Sequence, residues 1–386
     1  MVKKLFLIVL SIIIGPCALT GQVRIRLFTS NDQSYAVFSV SVGRYEINTY
    51  SGHTIILKAG ELAMISEYNE KLVIKAGNLA AFECDSVIYR GKTGNDLFTL
   101  RVNGKTPSRQ HYSGDLQCIP DLETILLINI CDIEPYVAGV VKAEGGSGKN
   151  IEYFKTQAII ARTYMYKYFN KHAIDRYNLC DETHCQAFNG ITDDSLITRA
   201  SYETKGLVAV GPDSTLIISA FHSNCGGETS PAEFVWLTSQ PYLKRVTDPW
   251  CRSSRNASWT KSISFDRWKG YLSKIGFSGD SSDSLIFDFS PESRVNDYRA
   301  GSFTYPMRLM RTDLNLRSAF FKISVEGDSV IFHGKGYGHG VGLCQEGAMI
   351  MAAKGYTFSQ IIDFYYSGVR IMDIKDLQVM KWWGYK

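Results

Sequence analysis

The hydrophobic periodicity of this chain changes near residue 130, and that change restricts the fold more than any other feature of the sequence. Between Val23 and about Leu127, short alternating or apolar runs such as YAVFSVSV and KLVIKA are separated by turns rich in Gly, Asn and Asp. Successive side chains of a strand point to opposite faces, so this pattern predicts a strand-rich region. Beyond Pro135 the apolar residues recur at helical spacings. The sequence therefore predicts an α+β fold.

Helices are predicted on both sides of a glycine-rich junction. Pro135 is well placed at a helix start, and YVAGVVKA leads to Glu144. A longer helix is expected from about Ile151 to Lys171, with one apolar stripe that we interpret as core: Phe154, Ala158, Ala161, Met165 and Phe169. Further on, TLIISAFH predicts a strand, and the C-terminal third predicts a strand, a glycine-rich turn and two helices.

The N-terminus has the layout of a signal peptide, which we assign to residues 1–21. Lys3 and Lys4 precede a mostly apolar run that is too short to span a bilayer. The mature chain is therefore expected to be exported, to the periplasm or another extracytoplasmic location. Lipid attachment at Cys17 is an alternative that would anchor it to the membrane, although Pro16 fits a lipid-attachment box badly.

Charge and composition limit the class of ligand. The net charge of +4 falls to +2 when Lys3 and Lys4 are removed with the signal peptide, so no basic surface for nucleic acid is expected. An uncharged polymer suits this surface at least as well. With 386 residues and 45% hydrophobic residues, the chain can form one large domain or two ordinary ones.

The nine cysteines suggest both disulfides and a metal site. Cys225 and Cys251 flank the long segment between Trp236 and Trp250, and we predict that they form a disulfide. Another group, formed by Cys180, His184 and Cys185 with His172 upstream, could bind Zn²⁺ tetrahedrally. A disulfide between Cys180 and Cys185 is the alternative in an oxidising compartment.

Glu144 is the candidate for acid–base chemistry. It ends a short apolar segment and is followed by Gly145, Gly146 and Gly148. A carboxyl group at such a position can project into a cleft as the general acid that glycoside cleavage requires. We interpret the glycines as giving a bulky glycan strand access to the acid. A solvated surface glutamate is the alternative on composition alone.

Polar groups in two further motifs are candidates for sugar contacts. In AFHSNCGGETSPAEFVW, a strand leads to a Gly-Gly turn through His222, Ser223 and Asn224. In GKGYGHGVGLCQEGA, the glycines from Gly334 to Gly342 surround Tyr337 and His339. We expect this turn to lie along the same cleft as Glu144, with the packing of the turn against its own chain as the alternative.

Taken together, these motifs resemble the SpoIID/LytB family of peptidoglycan lytic transglycosylases. The similar segments are LLINICDIEPYVAGVVKAEGG, FKTQAIIARTYMY, THCQAFNG, SNCGGETSPAEFVW with PYLKRV, and GHGVGLCQEGAMIMAAKGYTFSQIIDFYYSGV, in the family's order. The resemblance runs from roughly Arg109 to Arg370 and implies a SpoIID/LytB-like catalytic domain, which we assign to residues 109–386. The residues before it, 22–108, are assigned to the strand-rich region that the alternating runs predict. It places Lys155, Arg162 and Gln345 in family motifs, and we count them among the predicted substrate contacts.

The resemblance also implies a reaction. Glu144 corresponds to the family's essential acid, which would cleave the β-1,4 bond between N-acetylmuramic acid and N-acetylglucosamine and leave 1,6-anhydro ends. Some members bind zinc through a His and two Cys, for which His172, Cys180 and Cys185 are the nearest equivalents, with His184 competing. The chemistry itself would need no cofactor. A wall-binding protein or an activator of a wall amidase is the alternative function, and a metal-dependent hydrolase is a weaker one.

Overall fold

The computed structural model describes residues 21–48, 54–103, 110–146, 148–279 and 286–377. Residues 1–20 of the predicted signal peptide, with Cys17, lie outside the described residues. No helix in the described part of the chain has the length and the apolar character needed to span a membrane.

The chain divides into two compact units. Unit 1 consists of Met1–Tyr136, Phe169–Ile191 and Ile374–Lys386, and unit 2 consists of Val137–Tyr168 and Thr192–Asp373. These units are defined by contacts within the fold, whereas the predicted catalytic domain is defined by sequence motifs. The predicted domain boundary after residue 108 therefore stays a prediction.

Unit 1 is built from two antiparallel-rich sheets, which confirms the strand-rich region. Its strands are β1 (Gln22–Arg26), β2 (Tyr35–Val42), β3 (Arg44–Asn48), β4 (Thr54–Lys58), β5 (Leu62–Tyr68), β6 (Lys71–Ala76), β7 (Phe82–Cys84), β8 (Val87–Gly91), β9 (Leu97–Val102), β10 (Tyr112–Ser113), β11 (Asp115–Asp121), β12 (Thr124–Asp132) and, after the helices described next, β13 (Leu179–Cys180). One sheet has the order β13-β1-β12-β11-β8-β3-β4 and the other β10-β9-β2-β5-β6-β7. Buried rings from both sheets stack in the core of unit 1, with Phe38 of β2 lying 4.4 Å from Tyr89 of β8 between ring centroids.

Helix α1 (Ile133–Glu144) follows β12 directly, and α2 (Ile151–Lys167) follows the glycine-rich junction. Both predicted helices are confirmed, although α2 ends four residues before the predicted Lys171. Asn150 caps α2 by accepting a hydrogen bond from the N–H of Glu152 at 2.8 Å. All five residues of the predicted apolar stripe are buried, so the stripe is core as expected.

Unit 2 combines small sheets with helices. Its remaining elements are α3 (Ser195–Glu203), β14 (Leu207–Val210), β15 (Phe221–His222), α4 (Glu233–Trp236), β16 (Ser258–Ser264), α5 (Phe265–Lys274), β17 (Asp297–Ala300), β18 (Phe303–Pro306), α6 (Met307–Asp313), β19 (Phe321–Glu326), β20 (Ser329–Lys335), β21 (Leu343–Cys344), α7 (Gln345–Ala353), α8 (Phe358–Tyr365) and β22 (Arg370–Asp373). The mixture of helices and sheets confirms the α+β class. The strand predicted at TLIISAFH is reduced to the two residues of β15, which pair in parallel with β21.

Candidate functional site

Glu144 is the last residue of α1, and the chain turns directly after it. Pro135 lies in the first turn of α1, where backbone N–H groups have no partner within the helix, so the N–H that proline lacks costs no hydrogen bond. At the other end, Gly145 donates its N–H to the Val141 carbonyl at 2.8 Å, and Gly146 adopts a left-handed φ of 67°. The Glu144 side chain is partly exposed. The sequence thus delivers a carboxyl group at the C-terminal end of a helix.

The main chain around Glu144 is held from two sides within unit 2. The side-chain amide of Gln345, the first residue of α7, donates to the Glu144 carbonyl at 2.7 Å. The buried Tyr153 hydroxyl donates to the Gly145 carbonyl at 2.6 Å, and Gln157 donates to that hydroxyl oxygen at 3.2 Å. Carbonyls at a helix C-terminus lack intrahelical donors, and these bonds satisfy them. Residues of α2 and α7 therefore fix the backbone that carries the acid.

The glycines after Glu144 serve the packing of the chain itself. A Cβ at Gly145 would lie 2.4 Å from the Val141 carbonyl oxygen, and one at Gly148 would lie 2.4 Å from Cδ1 of Tyr153. Both distances are far inside the contact distance of about 3.5–4.0 Å between carbon atoms. These glycines are explained without a ligand, so the interpretation that they admit a glycan strand is not needed.

A second carboxyl group, Glu346, lies next to Gln345 and is anchored by two asparagines. The Asn224 amide donates to Glu346 Oε2, and the Asn256 amide donates to Oε1, both at 2.6 Å. The Asn256 amide also donates to Ser223 Oγ at 3.2 Å. Sequence reasoning missed Glu346 and Asn256; the available signal was that Glu346 follows Gln345 in a family motif. Asn224 is fully buried, so its predicted sugar contact is replaced by a bond that holds Glu346.

His222 lies close to this group because β15 places it opposite Cys344, directly before Gln345. Its Nδ1 donates to the Val341 carbonyl at 3.1 Å, whereas its buried Nε2 has no hydrogen-bond partner among the described residues. Burial holds the pKa of His222 well below its ordinary value, so the ring is neutral at neutral pH. Nε2 is therefore a buried hydrogen-bond acceptor without a donor among the described residues.

His339 lines a cavity of about 260 Å³ in unit 2. Its ring centroid lies 5.6 Å from that of His222 and 5.6 Å from that of Trp236, which is 41% exposed. Burial, with the nearby charges of Arg311 and Arg294, lowers the pKa of His339 to about 4. Trp236 was missed from the sequence, although it ends one of the quoted family motifs.

The glycine-rich turn packs against residues of its own chain. Four of its five glycines, at 336, 338, 340 and 342, have left-handed φ values. A Cβ added at any of these four glycines would lie too close to protein atoms. At Gly336 and Gly342 it would lie 2.5 Å from the Asn224 carbonyl oxygen and 2.2 Å from the Ala220 carbonyl oxygen, respectively. At Gly338 and Gly340 it would lie 2.9 Å from the His222 Cβ and 2.8 Å from the Arg294 guanidinium, respectively. Close packing accounts for the glycines, which favours the alternative to the approach of a polymer. The turn nevertheless leads, through β21, to the residue that binds the Glu144 carbonyl.

Arg162, predicted as a substrate contact, lies in the interior. It is fully buried, and its guanidinium donates to the carbonyls of Ser201 at 3.0 Å and Leu207 at 3.1 Å. A buried Arg needs such acceptors, and here they join α2 to α3 and β14. In this structure Arg162 cannot reach a ligand, which corrects the prediction. Gln345 is likewise mostly buried and contacts Glu144 rather than solvent.

Three of the predicted contacts remain at the surface. The Tyr337 ring is 44% exposed and lies 5.7 Å from the Arg317 guanidinium carbon, measured to the ring centroid. Lys155 forms ion pairs with Glu152 at 3.0 Å and Glu203 at 2.9 Å. Ser223 is partly exposed. Of these three residues, Tyr337 has an aromatic ring that a sugar could stack on.

All four residues considered for zinc come together in unit 1. The ligand atoms of His172, Cys180, His184 and Cys185 lie within 4.8 Å of one another. Cys185 Sγ is 3.5 Å from His172 Nε2, and Cys180 Sγ is 3.8 Å from His184 Nδ1. The other nitrogen of His172 lies 3.2 Å from an Asp175 carboxylate oxygen, as is common behind metal-bound imidazoles. His184 thus lies in the same group as the three predicted ligands.

Cys225 and Cys251, predicted to form a disulfide, are not bonded to each other in this structure. Their Sγ atoms are 3.3 Å apart, whereas an S–S bond is about 2.05 Å long. A third thiol, Cys344, and the carboxylate of Asp248 lie in the same group, and all four side chains are buried. Sequence reasoning paired Cys225 with Cys251 but did not identify Asp248 and Cys344 as their neighbours, because the four residues come from three separate segments.

Comparisons with known proteins found one family profile and several relatives. A profile described as stage II sporulation protein (SpoIID) matches residues 122–210, which include Glu144. The stage II sporulation protein D of Bacillus subtilis is 31% identical over 256 residues, covering 62% of this chain and 74% of that protein. An uncharacterized protein of Brachyspira hyodysenteriae is 29% identical over 351 residues, covering 88% of this chain and 90% of that protein. The amidase enhancer of Bacillus subtilis is 26% identical over 286 residues, covering 60% and 40% respectively.

Proposed function

Because this chain belongs to the stage II sporulation protein D family, we propose that it is a lytic transglycosylase of peptidoglycan in which Glu144 is the general acid and base. The family and the similarity to an amidase enhancer support a role connected with the cell wall. The bond proposed to be cleaved is the β-1,4 bond between N-acetylmuramic acid and N-acetylglucosamine.

The geometry of Glu144 carries this proposal. Its side chain is partly exposed, whereas its backbone carbonyl is fixed by Gln345 and the next carbonyl by buried Tyr153. A positioned carboxyl group is what proton transfer to a bound substrate requires. A carboxyl group whose backbone is fixed in this way can be held in place against a bound glycosidic oxygen.

One carboxyl group suffices for the proposed reaction. Protonated Glu144 gives its proton to the glycosidic oxygen as the bond from C1 breaks, and the muramoyl 6-hydroxyl oxygen attacks C1. The carboxylate then takes the proton of that hydroxyl, which restores Glu144 and leaves a 1,6-anhydro sugar. Neither water nor a cofactor is consumed, because the nucleophile belongs to the substrate.

The neighbouring groups offer contacts to a glycan. His222 is buried and its Nε2 is not accessible to solvent, so His222 is withdrawn from the proposed sugar contacts. The exposed faces of Trp236 and Tyr337 fit the apolar face of a sugar ring. Lys155 and Ser223 remain proposed sugar contacts because they lie at the surface. Arg162, Asn224 and Gln345 are no longer proposed as sugar contacts, because their side chains form hydrogen bonds within the protein.

The donor set in unit 1 fits a structural zinc ion. Two thiols and two imidazoles within 4.8 Å match the Cys₂His₂ chemistry of closed tetrahedral sites. His172, Cys180, His184 and Cys185 would hold the metal, which would supply cross-linking of the segment 172–185. With four protein ligands no position is open for a substrate or a water, which argues against a metal-dependent hydrolase.

An activator of a wall amidase is the second candidate function, favoured by the similarity to the amidase enhancer. In that case the surface around Glu144 would hold glycan without cleaving it. For either function we propose export through the segment 1–21. Peptidoglycan glycan strands are the proposed partner, with a wall amidase as a further one under the second function.

Product analysis separates these functions. Purified protein is incubated with glycan strands stripped of stem peptides and, in parallel, with intact peptidoglycan, and the products are identified by mass. The proposal expects 1,6-anhydro ends, which are one water lighter than hydrolysed ends. Reducing ends would indicate a hydrolase, and intact strands that co-sediment with the protein would indicate a binding or activating protein.

A further inference from the structure

The buried group in unit 2 has the composition and the spacing of a metal site. Its ligand atoms, the Sγ atoms of Cys225, Cys251 and Cys344 and a carboxylate oxygen of Asp248, all lie within 4.8 Å of one another. We propose that these four residues bind a Zn²⁺ ion, separate from the Cys/His set of unit 1. A tetrahedron with Zn–S bonds of about 2.3 Å has S···S edges of about 3.8 Å, and the Sγ atoms of Cys225 and Cys251 lie 3.3 Å apart in this structure.

The hydrogen bonds around the sulfurs support bound thiolates. The backbone N–H of Gly227 points at Cys251 Sγ at 3.3 Å. The N–H groups of Cys225 and Gly347 point at Cys344 Sγ at 3.3 and 3.4 Å. Donors aimed at a sulfur stabilise its negative charge, which a metal-bound thiolate carries and a neutral thiol does not. Zinc binding would release the three thiol protons to solvent.

The buried carboxyl group of Asp248 supports a bound cation independently of the thiols. Its carboxyl group is fully buried, and among the described residues it forms no ion pair with Lys, Arg or His. Its Oδ2 accepts hydrogen bonds from the Tyr365 hydroxyl at 2.9 Å and the Cys225 thiol at 3.2 Å, and its Oδ1 accepts one from the Trp250 N–H at 2.8 Å. A buried carboxylate without a cation is costly, and a divalent metal would supply the missing charge.

The packing around Asp248 keeps room for this arrangement. A Cβ at Gly347 would lie 2.5 Å from Asp248 Oδ2 and 2.2 Å from the Tyr365 hydroxyl oxygen. A glycine in the first turn of α7 is therefore required for the carboxylate and its phenol donor to stay together. Tyr365 acts as the hydrogen-bond donor that usually orients a metal-ligating carboxylate.

A disulfide explains less of this group than a metal does. A bond between Cys225 and Cys251 would use two of the three thiols and would leave Cys344 and Asp248 buried beside it. A metal uses all four residues. The site also goes beyond the proposed function, because its ligands tie together the end of β15, the segment 248–251 and the start of α7. These segments carry His222 and Gln345, so the metal would brace the elements next to Glu144.

Metal content can test the proposal independently of activity. The full chain is loaded with Zn²⁺ alone, desalted and measured by elemental analysis beside Cys344→Ser and the control Cys118→Ser, a buried thiol of β11 outside both groups. We expect Cys344→Ser to hold about one zinc fewer per chain than Cys118→Ser. Equal zinc in the two folded variants would overturn the proposal.

Two further measurements keep the test decisive if Cys344→Ser does not fold. The variant Cys180→Ser/Cys185→Ser, which lacks the other thiol set, should retain about one zinc per chain. In unfolded wild-type protein with chelator and no reductant, all three thiols of the unit 2 group should be alkylated. A zinc-free double variant, or Cys225 and Cys251 that resist alkylation until reduced, would contradict the metal site. These readouts do not depend on glycan cleavage, so they stand whether or not the proposed function fails.

Discussion

Replacing Gly340 with alanine should destabilise unit 2 strongly. Gly340 has a φ of 85°, where an L-residue pays about 1–2 kcal/mol in strain. The new Cβ would also lie 2.8 Å from the Arg294 guanidinium. Arg294 cannot move away freely, since it is 3% exposed and donates to the carbonyls of Glu228 at 2.7 Å and Cys225 at 2.8 Å. Overpacking of such a site adds about 1–3 kcal/mol, so we expect a loss of about 2–5 kcal/mol in the free energy of unfolding.

Denaturant unfolding followed by circular dichroism measures this loss, and Gly327 supplies the matched control. Gly327 lies in the turn between β19 and β20 with a φ of 55°, and an added Cβ there would meet no atom within 4 Å. Gly327→Ala should therefore cost only the strain, about 1 kcal/mol. If Gly340→Ala is no less stable than Gly327→Ala, the packing argument is refuted. If it keeps its stability but binds glycan strands more weakly, the glycines face a polymer after all.

Three other predictions concern single side chains. Burial lowers the pKa of His339 to about 4, so the contribution of this histidine to stability is present above pH 6.5 and is lost as the pH falls toward about 4, on the order of 3 kcal/mol. His339→Gln should therefore flatten the fall in unfolding free energy across that range, and an unchanged slope would contradict the assignment. Gln345→Ala frees the Glu144 carbonyl and should lower the kcat for glycan cleavage about tenfold with little change in KM, whereas a native kcat would show that this hydrogen bond does not position the acid. Zinc in unit 1 predicts that Cys180→Ser loses about one equivalent of metal, and metal-free wild-type protein whose Cys180 and Cys185 resist alkylation until reduced would indicate a disulfide.

Local patterns allowed the helices around Glu144 to be predicted from sequence. Proline at the first turn, glycines after the last turn and a stripe at helical spacing depend on neighbours within a few positions, and α1 and α2 form as expected. The strand predicted at TLIISAFH was too long, because only Phe221 and His222 pair with β21, whereas Leu216 forms an isolated bridge with Val210. Of the apolar residues in this segment only Ile217 is buried, and a short apolar run does not by itself show which of its residues will pair.

Roles that depend on distant contacts could not be predicted. Arg162 and Gln345 look like ligand contacts in their motifs, but Arg162 binds carbonyls 39 and 45 residues away in the chain and Gln345 binds one 201 residues away. The thiol group of unit 2 joins residues from three segments, so no spacing rule covers it. Glu144 could be singled out from the family motifs, whereas its fixed backbone became visible only in the structure.

The most direct test of the central claim compares the rates at which Glu144→Gln and wild-type protein form 1,6-anhydro ends on peptide-free glycan. The amide is nearly isosteric with the acid but cannot transfer a proton, and the matched control Glu203→Gln changes an exposed glutamate that pairs with Lys155. We expect Glu144→Gln to bind glycan and unfold like wild-type protein while its cleavage rate falls about 10²–10⁴-fold. Cleavage by Glu144→Gln at the wild-type rate would contradict the assignment of Glu144 as the acid.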